Sequence, residues 1–112
     1  MYYSSRTRSL FDAVYDWSRF ASLPQGYNWI REEVIANRVK LKEIVEMTIL
    51  YGNQGTARRI GFLIETLGAK KNVLEKLEKV LTSKKSQIPF VPGKPKRGKL
   101  IKRWGVVVNE QI

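Results

Sequence analysis

In Thr56-Ala57-Arg58-Arg59-Ile60-Gly61-Phe62-Leu63-Ile64-Glu65-Thr66-Leu67-Gly68, five consecutive residues, Ile60 to Ile64, are apolar or glycine. On a helical wheel such a run covers most of the circumference, so the helix that carries it is expected at the centre of the fold, buried on nearly every side. The spacing predicts a helix from Gln54 to about Leu67, stopped by Gly68.

Working outward, the preceding segment predicts a helix from about Val39 to Tyr51, with Leu41, Ile44, Val45 and Thr48 in one stripe. Gly52-Asn53 is expected to end it, both residues suiting the left-handed C-terminal conformation. Leu10, Phe11, Val14, Trp17 and Ala21 recur at helical spacing, which predicts a helix from Arg6 to about Ala21 behind a Ser4 or Ser5 cap. Pro24-Gln25-Gly26 reads as a break, and a shorter helix is expected over Tyr27 to Ala36. A fifth helix is expected after Asn72, which with Glu75 forms a variant capping box, its stripe being Val73, Leu74, Leu77, Val80 and Leu81.

Beyond Lys84 the pattern changes. Ile88 to Pro92 is short and punctuated by proline, as an edge strand or strand end would be. Gly93 to Arg103 reads as a basic loop, and the β-branched Val106 to Val108 within Trp104–Asn109 read as a strand. The two strands are expected to pair as a hairpin across the loop, with Tyr2-Tyr3 as a third candidate strand. The fold class is thus α+β, with about five helices packed against a small two- or three-stranded antiparallel sheet. Residues 1–112 form a single domain, the helical part being 4–84 and the basic hairpin-like part 85–112. The expected core includes Leu10, Val14, Trp17, Ile44, Ile60, Leu63, Ile64, Leu67, Leu77 and Val107.

Composition narrows the function. Lys and Arg number 21 against 10 Asp and Glu, a net charge of +11, so polyanions of any kind are favoured partners. With no Cys and no His, the chain lacks disulfides, thiolate and imidazole metal ligands and the commonest general base. No catalytic residues, metal site or cofactor are expected, and the chain reads as a binding domain rather than an enzyme. Asp12 and Asp16, and Glu75 and Lys79, stand four apart as ordinary helix-surface pairs do. Gly52-x-x-Gly55 is not a phosphate-binding P-loop, because no Gly-Lys-Ser/Thr follows. No membrane span and no signal peptide are read, and a cytoplasmic protein is expected.

The candidate contacts follow from the basic residues. Lys84, Lys85, Lys94, Lys96, Arg97, Lys99, Lys102 and Arg103 fall in one span without Asp or Glu. A Gly-containing loop can bring such cations to a phosphate backbone, and roughly five contacts imply a salt slope near −4.5. Arg58 and Arg59, near the start of the central helix, suit an anion or else pair internally with Asp12, Asp16, Glu43 or Glu46. Trp104, beside Lys102 and Arg103, is the best candidate for base stacking. The partner is either nucleic acid, DNA rather than RNA, or an acidic protein, since the same cations serve both.

The order of these features resembles one family. Arg6-Thr7-Arg8-Ser9-Leu10-Phe11-Asp12 is similar to the Arg-Thr-Leu-x-Asp helix of AbiEi-type antitoxins of type IV toxin–antitoxin systems. Gly52-Asn53-x-x-Thr56-Ala57-Arg58-Arg59-Ile60-Gly61-Phe62-Leu63-Ile64-Glu65-x-x-Gly68 resembles that family's central Arg-Arg-Leu-Gly-Tyr-Leu-Leu-Glu helix. Arg97-Gly98 and Arg103-Trp104-x-Val106-Val107-Val108-Asn109 resemble its closing strand. The resemblance implies a prokaryotic antitoxin-like transcriptional regulator whose C-terminal domain neutralises a nucleotidyltransferase-type toxin. No winged helix precedes the matching region, so the chain is expected to correspond to that C-terminal domain alone. Phe90-Val91-Pro92 stands where the family carries an acidic residue before the proline.

Overall fold

A computed structural model describes residues 5–17, 23–82, 86–95 and 97–110. The strand expected at Tyr2-Tyr3 and the far end of the first helix at Ala21 lie outside the described residues.

The helices are α1 (Ser5–Tyr15), α2 (Leu23–Ile35), α3 (Leu41–Tyr51), α4 (Gln54–Thr66) and α5 (Lys71–Glu78). The strands are β1 (Ile88–Pro89), β2 (Lys99–Ile101) and β3 (Val106–Val108). The architecture is α+β. α4 is the hub, touching α1, α3, α5 and β3, and Ile60 and Ile64 are fully buried. The expected core is buried, except that Trp17 and Leu67 pack from its margin.

Helix boundaries follow local chemistry. Asn53 does not end α3 in a left-handed turn; it is extended and caps α4, its side chain accepting the Thr56 N–H at 2.8 Å. An Asx side chain satisfies an amide that the helix start would otherwise leave bare. α4 closes on Gly68 (φ +84°), with Gly68 N–H donating to Glu65 O and Ala69 N–H to Ile64 O. α2 closes in the same way on Asn37 (φ 59°). These paired bonds satisfy the last carbonyls of each helix.

α2 begins at Leu23, so Pro24-Gln25-Gly26 lies in its first turn and is not a break. Proline costs nothing there, because first-turn amides have no helical acceptor. Gly26 lets α2 touch α1: a Cβ at residue 26 would lie 2.7 Å from the Ala13 carbonyl oxygen. α5 begins at Lys71 with Lys70 at its cap and no side-chain cap bond, so Asn72 lies inside the helix and the expected capping box does not form.

The sheet order is β1-β3-β2. β1 runs parallel to β3, and β2 antiparallel to it with Leu100 opposite Val107. The sheet is therefore mixed and not purely antiparallel. The hairpin partner of β3 is Lys99–Ile101, inside the stretch read as a loop, because two apolar residues among cations give too weak a strand signal. β1 tolerates Pro89 at the sheet edge: Ile88 N–H donates to Gly105 O and Phe90 N–H to Val107 O, and the ladder skips the proline.

Candidate nucleic-acid interface

The hairpin of β2 and β3 turns at Lys102–Gly105 and is fastened to α4 by Trp104. That ring is fully buried, and Gly61 makes room for it: a Cβ there would lie 2.3 Å from the indole. The indole Nε1–H donates to Glu65 Oε1 at 3.1 Å. Trp104 thus offers no ring face to a base, which corrects the expectation of stacking. A large apolar ring is worth more in the core than at the surface, and one carboxylate satisfies its donor.

Arg58 is only 4% exposed and is committed to the same turn. Its Nε donates to Trp104 O and its Nη2 to Gly105 O, both at 2.7 Å, and Nη2 also donates to Ser86 O. Backbone carbonyls, and not the carboxylates expected from sequence, take up this guanidinium. Burial, and then the neighbouring charge of Arg59, hold its pKa below the ordinary arginine value. Arg59 is half-buried and donates from Nε to Pro89 O at 3.0 Å; burial lowers its pKa too. The structure places Arg58 as a clamp between α4, Ser86 and the hairpin turn, and takes it out of the set of surface contacts.

Arg103 bridges two carboxylates, Glu65 at 2.8 Å and Glu78 at 3.1 Å, with its guanidinium 5.4 Å from the Trp104 ring centroid. Burial opposes its charge, but hydrogen bonds to Glu78 and Glu65 outweigh it and hold the pKa above the ordinary value. Lys94 pairs with Glu110 at 2.7 Å. Lys96 lies outside the described residues.

Arg97, Lys99 and Lys102 remain exposed, on the loop before β2, on β2 and at the start of the turn. Lys79, also exposed, follows Glu78 in the chain, as Lys102 precedes Arg103. The i, i+4 spacing sets Lys79 beside Glu75; in the structure Glu75 pairs with Lys71 at 3.9 Å.

Two positioning residues escaped the sequence reading. Asn109 extends the β1–β3 ladder with its side chain, accepting from Val91 N–H and donating to Val91 O, both at 2.9 Å. Glu65 holds Trp104 and Arg103 together. Its signal was present: Arg58, Gly61 and Glu65 are spaced i, i+3, i+7 and share one helix face, the one that receives the turn.

Among the described residues no cluster of His, Cys, Asp or Glu could hold a metal ion. Among them, too, no helix is long and apolar enough to cross a membrane. Protein-family models, curated proteins and solved structures were compared with the chain, and none matches.

Proposed function

We propose that the chain is a cytoplasmic, non-catalytic domain of an antitoxin-like transcriptional regulator that binds nucleic acid through the β2–β3 hairpin. The observation that carries this reading is the division of labour among the cations. Arg58 and Arg103 fasten the hairpin turn to the helices and Arg59 holds β1, while Lys99 and Lys102 stand exposed on the hairpin and Arg97 on the loop that leads into it. A rigid mount lowers the ordering cost of binding, and the net charge of +11 adds long-range attraction to DNA. Fluorescence anisotropy with labelled DNA in low salt tests it. The wild type is expected to bind, and R97A/K99A/K102A to lose most of that affinity while melting at the same temperature. Equal affinity in the two proteins would remove the proposal's basis.

A protein-binding antitoxin domain that neutralises a nucleotidyltransferase-type toxin without touching DNA is the second reading. One observation favours it: a groove of about 490 Å³ whose lining is mainly apolar (Ile35, Phe62, Leu67 and Val108 among it) with Arg31 and Glu110 as its charged members, Ile35 being 68% exposed. Apolar grooves of this size suit a partner's side chains. I35D is expected to abolish co-purification with such a toxin and to leave DNA binding intact; retention of the toxin by I35D would count against this reading.

A further inference from the structure

Resting on the nucleic-acid reading above, we infer that the hairpin grips the phosphate backbone of duplex nucleic acid without reading bases, so that binding is indifferent to sequence and weaker for single strands.

The topology blocks entry into a groove. A free two-stranded β-ribbon fits the major groove of B-DNA and can present side chains to base edges. Here β3 is sandwiched between β1 and β2, with Val106 and Val107 buried and its inner face against α4. Only the outer edge of β2 and the turn are available. An edge that projects one strand beyond β3, the strand on which α4 packs, rests on the phosphate ridge and does not reach the groove floor.

The side chains on that edge agree with the geometry. Lys99 and Lys102 carry compact ammonium groups, which meet phosphate as point charges and discriminate poorly between bases. Preference for single strands comes from aromatic platforms on which unpaired bases stack, at about 1–3 kcal/mol per base. The hairpin's one aromatic residue, Trp104, is fully buried beneath the backbone. Without stacking, affinity follows phosphate density, and a duplex carries a charge about every 1.7 Å of axis. Arg97, on the loop before β2, carries, among the described residues, the one exposed planar fork beside that edge, the side chain best shaped to pair with a guanine edge in two places.

The decisive experiment is a titration of the full chain with mixed-sequence, A·T-only and G·C-only duplexes and with a single strand of equal phosphate number. Each is followed between about 50 and 200 mM salt. The expected result is affinities for the duplexes within about threefold, a weaker single strand, and a duplex slope near −2.7 if Arg97, Lys99 and Lys102 each meet one phosphate. R97K is expected to leave the sequence profile flat. A single strand that binds more tightly than the duplexes, or a duplex preference of tenfold or more, would overturn this inference and leave nucleic-acid binding standing. No binding to any of the probes in the lowest salt would overturn both.

Discussion

Gly61 and Trp104 are in direct contact, helix backbone against indole, and a methyl group at residue 61 would lie 2.3 Å from the ring. G61A is therefore expected to eject or tilt the ring, at an overpacking cost of about 1–3 kcal/mol. At this size each kcal/mol lowers Tm by about 4–8 °C. Thermal melts measure the loss. Adding W104L to G61A is expected to recover part of it, because the smaller side chain clears the new methyl; strict additivity in that double-mutant cycle would refute the contact.

Arg58 leads to a second expectation, opposite to the one its charge invites. R58M leaves the carbonyls of Trp104, Gly105 and Ser86 without their donor, at about 1–3 kcal/mol for each that stays dry. R58K keeps the charge but not the planar fork, and is expected to restore less than half of the stability. In folded R58M, which carries no charge at this position, the salt slope for DNA is expected to equal that of the wild type. A slope shallower by about one would show that Arg58 meets a phosphate after all.

Glu110 holds Lys94 at 2.7 Å. E110Q frees that ammonium beside the hairpin loop and removes one negative charge. It is expected to tighten DNA binding in low salt and to steepen the slope by about 0.9 through one added contact. K94A is expected to leave the wild-type slope unchanged, since the paired lysine contributes little to it. Anisotropy titrations of the two variants decide the matter.

Tyr27 sets an alkaline limit. Burial raises its phenol far above the usual value, against the pull of Arg59's charge, and its hydroxyl donates to Phe90 O at 2.7 Å. An unfolded tyrosine ionises near pH 10, so the unfolded chain releases this proton before the folded one does. The stability Tyr27 contributes is present in full below about pH 10 and is lost progressively as pH rises above it. Melts from about pH 8 to 11 are expected to show Tm falling more steeply in the wild type than in Y27F. Y27F itself starts about 1 kcal/mol lower for want of the hydrogen bond. Parallel curves for the two proteins would exclude this role for Tyr27.

The helical half was legible because its signals are periodic and local. Ile60 to Ile64 marked the central helix, and Gly68 marked its end. Pro24 misled because proline reads as a break everywhere except in a first turn, where α2 places it. β2 was invisible because its pairing is defined by β3 and not by its own composition. The basic residues of the candidate site were legible, but not which of them face inward. Arg58 and Arg97 are the same residue on paper; the first is buried because its helix face, shared with Gly61 and Glu65, meets the turn, and the second faces water. The hydrogen bonds of Arg58 go to carbonyls 28, 46 and 47 residues away in the chain, which no local pattern encodes.

The strand order has a consequence for biosynthesis. β3 is the middle strand but the last of the three to be translated, so β1 and β2 leave the ribosome before either has its neighbour. The turn that docks on Arg58 also emerges late, just ahead of β3. The helices are free to assemble first around a hub whose Gly61 seat stands empty, and the nascent protein gains its exposed basic edge only when Trp104 drops into that seat.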